Sequence, residues 1–162
     1  MTTTLNCKNN FLIGIISDTH GYVSAGARNT FKEADLIIHA GDIGNPEVLK
    51  TLKSIAPLVA VRGNMDFGPW ADHLPITKRI QIGHILIYVI HDVHRLDLEP
   101  GIAGIMAVIS GHTHRPVAQK KDGVLFLNPG SASHPKFGES ASVALLRLQA
   151  NDLVPRFVNL ND

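Results

Sequence analysis

The apolar residues of this chain come in short runs, rich in isoleucine and valine, that stop at Gly, Asp, His or Asn. Runs of that length and composition fit strands and leave no room for long buried helices. Strands are therefore expected at Phe11–Ser17, Leu36–Ala40, Leu58–Arg62, Ile80–Ile82, Ile85–Ile90, Met106–Ser110, Val124–Leu127, Val143–Leu148 and Val154–Leu160. Between the first three, helical spacing recurs at Ala25–Glu33 and Pro46–Ile55, the second opened by Asn45 as N-cap with Pro46 at the first helical position. Strand, helix, strand, helix, strand implies a right-handed parallel unit. Beyond residue 78 the strands crowd together, with space for one short helix between Asp97 and Gly104. The expectation is a layered α/β protein, parallel in its first half and mixed or antiparallel in its second. With no internal repeat, low-complexity stretch or linker, residues 1–162 read as one domain, the polar segment Met1–Asn10 being expected as flexible.

Composition removes several function classes. Lys and Arg number 15 against 14 Asp and Glu, a net charge of +1, which leaves no basic excess for a nonspecific nucleic-acid surface. The single cysteine, Cys7, can close no internal disulfide and excludes zinc-finger spacing. The apolar stretch Phe11–Ile16 stops at Ser17-Asp18, unlike an export signal, and the weakly polar run Gly101–Ser110 is half a membrane span. A soluble, cytoplasmic protein is the expectation.

The polar residues that matter fall just past the strand ends: Asp18-Thr19-His20, Gly41-Asp42, Gly63-Asn64-Met65-Asp66, His91-Asp92 and Gly111-His112-Thr113-His114. In open α/β sheets, ligands bind beyond the carboxyl ends of strands. Asp-x-His or Gly-Asp alone carries no weight, but Gly-His-x-His and Gly-Asn-x-Asp are each expected about 0.05 times by chance, and the order of all five motifs is more restrictive still. Nitrogen and oxygen donors without thiolate suit Mn, Fe, Co, Ni or Zn. Two divalent cations would bring +4, against −2 from Asp18 and Asp42 and −1 from a bridging hydroxide, leaving about +1 for an anionic ester to neutralise. An ion pair of that kind activates water and stabilises an in-line displacement at phosphorus.

This ordered set resembles the calcineurin-like metallophosphoesterases, and Asn128-Pro129-Gly130-Ser131 further resembles their small single-domain phosphodiesterase branch, related to the retromer scaffold subunit. The resemblance implies a four-layer αββα sandwich of two mixed sheets flanked by helices. It implies that Asp18, His20 and His114 hold one metal ion, that Asn64, His91 and His112 hold a second, and that Asp42 bridges them, with Asn64 also facing the phosphate. Manganese is expected foremost, with Ni, Co, Fe or Zn as alternatives. The implied activity is phosphodiester hydrolysis by a metal-bridging hydroxide. The alternatives are a phosphomonoesterase and an interaction scaffold with a vestigial metal site. Two positions depart from the family pattern. Met65 stands where larger members have a histidine that aids the leaving group, which makes His94 the substitute acid to examine, and Asp92 replaces a glycine.

Around this set, Arg62 and Arg115 flank ligand motifs and are candidates for bidentate phosphate contact, a salt-bridged arginine being the alternative. Asp66 reads either as support for the ligands or as a turn cap. His39, inside an apolar strand, is expected to be a hydrogen-bonded core histidine. Asn128–Ser131 reads as an architectural turn with Ser131 a candidate phosphate contact, and His73, His84 and His134 as surface or turn residues. Phe67 and Trp70 could shape a substrate pocket, cover the core, or pack against a second copy in a homo-oligomer. The expected substrate is a small phosphodiester, with no membrane partner.

Overall fold

Strand pairing sorts the chain into two sheets that meet face to face. The computed structural model describes residues 1–160, so the last two residues of the expected 1–162 unit lie outside the described residues. One sheet takes its centre from β2 (Phe11–Ile16), β3 (Leu36–His39) and β4 (Leu58–Ala60), all mutually parallel. The antiparallel hairpin β10 (Ser142–Gln149) and β11 (Asp152–Asn159) completes it in the order β11-β10-β2-β3-β4. The other sheet runs β1-β5-β6-β7-β9-β8, from β1 (Thr2–Leu5), β5 (Thr77–Ile82), β6 (Ile85–Ile90), β7 (Ala107–Ile109), β8 (Pro116–Lys121) and β9 (Val124–Pro129). Both sheets are mixed, as expected. The parallel pairs β6·β7 and β7·β9 lie beside antiparallel β5·β6 and β8·β9.

The central core is aliphatic. Ile13, Ile15, Leu36, Ile38 and Leu146 from one sheet pack on Ile80, Ile87, Val89, Ile109 and Leu127 from the other. On the outer face of the first sheet, α1 (Ala25–Thr30) and α2 (Pro46–Lys53) lay Ala27, Phe31, Val48 and Leu52 against Ile16, Ile37 and Leu145. Ser24 and Asn45 cap these helices by accepting from Ala27 and Glu47 N–H. Phe31 lies so close to β2 that a Cβ on Gly14 would come within 2.5 Å of its ring. The short helix α3 (Pro69–Asp72) seats Trp70 against the same cluster, so that Trp70 serves as core cover.

Two local expectations need correction, the helix at 97–104 and the flexible Met1–Asn10, and strand β8 has no counterpart among the expected strands. The segment 97–104 is no helix. It makes a turn whose Ile105 N–H returns to Pro100 O and whose Gly104 N–H returns to Gly101 O, with Gly104 at φ 74, a helix-stop motif with almost no helix before it. With the 3₁₀ turn Val93–Arg95 it covers Tyr88, Ile90 and Val108 and so forms the outer layer over the second sheet. Within Met1–Asn10, expected as flexible, β1 pairs in parallel with β5 and Leu5 packs on the core. Strand β8 carries no apolar alternation because it is an exposed edge, and its lysines suit an edge that must not pair with another chain. Among the described residues, no helix is long and apolar enough to cross a membrane.

His39 is fully buried in β3, as its apolar setting implies. Its Nδ1 accepts from Gly41 N–H at 3.1 Å, so Nε2 carries the proton and donates to Thr19 Oγ1 at 2.9 Å, which donates on to Ile43 O. Burial pushes its pKa down to about 3, because a charged ring would lose water and turn a second N–H towards Gly41. An unfolded histidine titrates near 6.5. Between those values the unfolded chain binds a proton that the native chain does not, and stability falls as pH falls, by about 1.4 kcal/mol per pH unit. Urea titrations in chelator between pH 6 and 4 should therefore show a slope shallower by about that amount in His39→Gln than in the parent; equal slopes would refute the neutral buried ring.

Candidate metal centre

Five strands deliver the seven candidate ligands to one end of the sandwich: β2 leads to Asp18 and His20, β3 to Asp42, β4 to Asn64, β6 to His91, and β7 to His112 and His114. The chain must turn sharply there. Asp18, His20, Asp42, His112 and His114 all adopt left-handed backbone, with φ from 46 to 70. A non-glycine residue in that region costs on the order of 1–3 kcal/mol and persists where the surroundings over-determine it, which is typical of functional sites. Close approach imposes the neighbouring glycines as well. A Cβ on Gly63 would stand 2.1 Å from Asp42 N and 2.2 Å from Asp42 Oδ1.

The donors form two overlapping groups. Ligand atoms of Asp18, His20 and His114 lie within 4.8 Å of one another, as do those of Asp18, Asp42 and His91. Asn64 Oδ1 adds to the second, 3.0 Å from both His91 Nε2 and His112 Nδ1, and His91 Nε2 is 3.4 Å from Asp42 Oδ2. All seven residues thus come together. The expectation made Asp42 the shared carboxylate; in this geometry Asp18 is the carboxylate common to both groups, and Asp42 belongs to the second.

Two histidines are aimed by backbone carbonyls. His114 Nδ1 donates to His134 O, and His91 Nδ1 donates to Ala40 O at 2.7 Å, which leaves each Nε2 facing the carboxylates. Such a partner on the far nitrogen fixes the tautomer that a metal requires. Asp18 is fully buried. Its Oδ2 accepts from Ser17 Oγ and His112 N–H, but Oδ1, 3.1 Å from His114 Nε2, accepts no well-directed hydrogen bond. A buried carboxylate oxygen without a donor is costly, and a divalent cation would satisfy it, so the donor set fits the metal that its residue types suggest.

The electrostatics agree. Burial opposes ionisation of Asp18, but the His114 ring beside it and the Ser17 hydroxyl bond outweigh it and hold the carboxyl below its ordinary range. Asp42 is lowered in the same way, against burial, by His91 and by the Met65 N–H. Burial also opposes charging of His91, yet Asp42 raises it; His114 is raised chiefly by Asp18. His20 is lowered by burial. The centre concentrates negative potential in a place where two imidazoles already respond to it.

The other candidates divide. Asp66 is an internal clamp, its two carboxylate oxygens accepting from Gly44 and Gly63 N–H, so that it ties the loop after Asp42 to the loop before Asn64. Ser131 is buried and donates to Asp18 O, as Ser133 does, so the 128–131 turn is architectural and Ser131 does not face the site. Arg62 lines a cleft of about 690 Å³ beside Asn64, with Phe67 and Tyr88, but its guanidinium lies 3.4 Å from Asp72. Asp92 borders the same cleft, caps the turn at His94 and stands 3.9 Å from His112 Nε2. Arg115 and His94 line a separate, shallower groove on the other side of His112. His134, expected as a surface or turn residue, is exposed, with its ring edge-on to His20 at 5.0 Å, whereas Lys136 and Phe137 in that groove are not among the residues singled out from the sequence. The Asn-Pro-Gly-Ser motif marks where this loop begins, but nothing in it shows that residues 133–137 fold back over the centre.

Comparison with known proteins gives the same answer as the geometry. The chain is 39% identical over 148 residues to a probable metallophosphoesterase of Methanocaldococcus jannaschii, covering 83% of this chain and 75% of that one. It is 31% identical over 171 residues to the phosphodiesterase YfcE of Escherichia coli K12, covering 90% of each. The solved structure of vacuolar protein sorting 29 from Cryptosporidium parvum superposes with a TM-score of 0.80 at 24% identity, over 96% of this chain and 94% of that one, a likeness of fold. Residues 11–151 match the model of the calcineurin-like phosphoesterase superfamily domain, and the chain belongs to that superfamily.

Proposed function

We propose that this protein is a metal-dependent phosphodiesterase that uses two divalent ions, manganese foremost. The observation that carries the diester reading is that two grooves, one beside Phe67 and Tyr88 and one beside Arg115 and Phe137, both reach His112. A phosphate between two organic arms needs a channel on each side; a monoester needs one.

In this reading Asp18, His20 and His114 hold one ion, Asn64, His91 and His112 the other, and Asp42 is shared. When bound, the ion pair supplies an ionised water for in-line attack and offsets charge on the phosphate oxygens. The chain's own residues do the rest. Asp42 is fixed by the Met65 N–H at 2.8 Å and His91 by Ala40 O, so neither needs to reorganise during turnover. The exposed Asn64 amide, which lines the larger cleft, would orient the phosphate with its NH₂ while its oxygen faces the two histidines. Met65 offers no proton, and His94, which lines the second groove with His112, would protonate the departing alkoxide.

Calorimetric titration with Mn²⁺ should give two ions per chain, and the loaded protein should hydrolyse bis(p-nitrophenyl) phosphate faster than p-nitrophenyl phosphate. In Asp42→Asn, activity should fall by more than the ~10–100-fold that loss of a metal's outer partner costs, with the fold intact by circular dichroism. A stoichiometry of one, or faster monoester turnover, contradicts the proposal. His94→Gln should slow a diphenyl phosphate by up to ~10²-fold and a bis(p-nitrophenyl) phosphate far less, since only the poorer leaving group needs the proton. Equal losses on both esters would remove His94 from the acid role.

A further inference from the structure

The second groove has a chemistry of its own. His94, His112, Thr113, Arg115, Lys136 and Phe137 line about 490 Å³ of open space, and no carboxylate is among them. Among the described residues, neither Arg115 nor Lys136 takes part in an ion pair, whereas Arg62, on the other cleft, is engaged by Asp72. In a chain with a net charge of only +1, two uncommitted cations at one rim form a local feature. Arg115 Cζ lies 3.9 Å from the centroid of the Phe137 ring, a cation–π contact that holds the guanidinium at this rim, where its N–H groups can meet an anion in two places. Phe137 is 71% exposed and holds this position with left-handed backbone at φ 58, a conformation that a bulky residue rarely adopts.

We propose that this groove is a subsite for a second anionic group, a phosphate or carboxylate carried on one organic arm of the diester. The proposal rests on the diesterase reading and narrows its substrate class to esters with a further negative charge beyond the scissile phosphate. Arg115 meets that group edge-on, Lys136 adds a point charge, and Phe137 positions the arginine. Specificity then comes from the rim, while the reaction belongs to the centre.

Thymidine 5′-(p-nitrophenyl phosphate) carrying either a 3′-hydroxyl or a 3′-phosphate shares one scissile bond and one leaving group, a p-nitrophenolate that needs no proton from His94 and is free to depart by the other cleft while the nucleoside arm occupies this groove, so the ratio of kcat/KM isolates the added charge. In the Mn²⁺-loaded protein at low salt, the 3′-phosphorylated ester should be favoured by about tenfold, the preference shrinking as salt is added. The ratio should collapse to about one in Arg115→Gln/Lys136→Gln. A ratio near one in the parent, or one that the double substitution leaves unchanged, overturns the subsite. Calorimetric binding of thymidine 3′,5′-bisphosphate against thymidine 5′-monophosphate repeats the comparison without turnover. If neither ester is cleaved but the bisphosphate binds more tightly through Arg115 and Lys136, the diesterase reading fails and the subsite stands; if both are cleaved equally, the reverse holds.

Discussion

The buried carboxylate of Asp18 is the constraint from which the rest of the centre follows. One of its oxygens is held by Ser17 Oγ and by the backbone of His112, so β2 and the loop after β7 are locked together across the two sheets. Its backbone carbonyl takes the hydroxyls of Ser131 and Ser133, which draws in the loop after β9. Its N–H donates to Gly41 O, which fixes the loop after β3. Four chain segments are therefore tied to one residue, and that residue is left with one oxygen that nothing in the protein satisfies. Such an arrangement is expensive as pure architecture, since an unpartnered buried acceptor costs roughly 1–3 kcal/mol. It is economical as the anchor of a cation.

The strain around Asp18 is borne by the sandwich. Five left-handed turns at the ligands would unravel on a loose scaffold, but each follows directly from a strand whose residues are buried on both faces or packed in the central core. The clamps lie between the loops themselves: Asp66 joins Gly44 to Gly63, Asn128 holds Gly111 O at 2.7 Å, and His91 reaches from one sheet to Ala40 O of the other. The centre is thus rigid where it must be and rests on backbone more than on side chains.

The ordered motifs made the strand-end placement of all seven donors legible, because glycine and short polar residues after an apolar run mark both a turn and a ligand. His39 was legible for the same reason in reverse: a histidine within LIIH has nowhere to go but the core. What escaped was set by contacts distant in sequence. Strand β8 exposes nearly every side chain, so no apolar period announces it. The cover over Tyr88 is built from turns, and the possible helix at 97–104 is stopped by Gly104 before it forms. Lys136 and Phe137 lie in a polar stretch whose return to His112 is fixed by Ser131 and Ser133, more than a hundred residues from the carbonyls they bind.

Exposure is distributed unevenly across the centre, and that unevenness sets the direction of approach. Asp18, Asp42, His91 and His114 are buried, whereas Asn64 is exposed and the His112 side chain retains 41% of its surface. The most open approach therefore passes over Asn64 and His112, the two residues whose polar atoms already face each other at 3.0 Å. The larger cleft leaves this point on the side of Phe67 and Arg62, the groove on the side of Arg115 and Lys136. Arg62 is paired with Asp72 and the larger cleft carries Asp92 and Asp97 besides, whereas the groove has no carboxylate, so the two exits differ in charge although both reach His112. A substrate whose two arms differ in charge would be oriented by that difference before it reached the buried carboxylates, through forces that act over about 8–10 Å in physiological salt. Orientation by the rim would leave the strained inner shell free to serve the reaction alone.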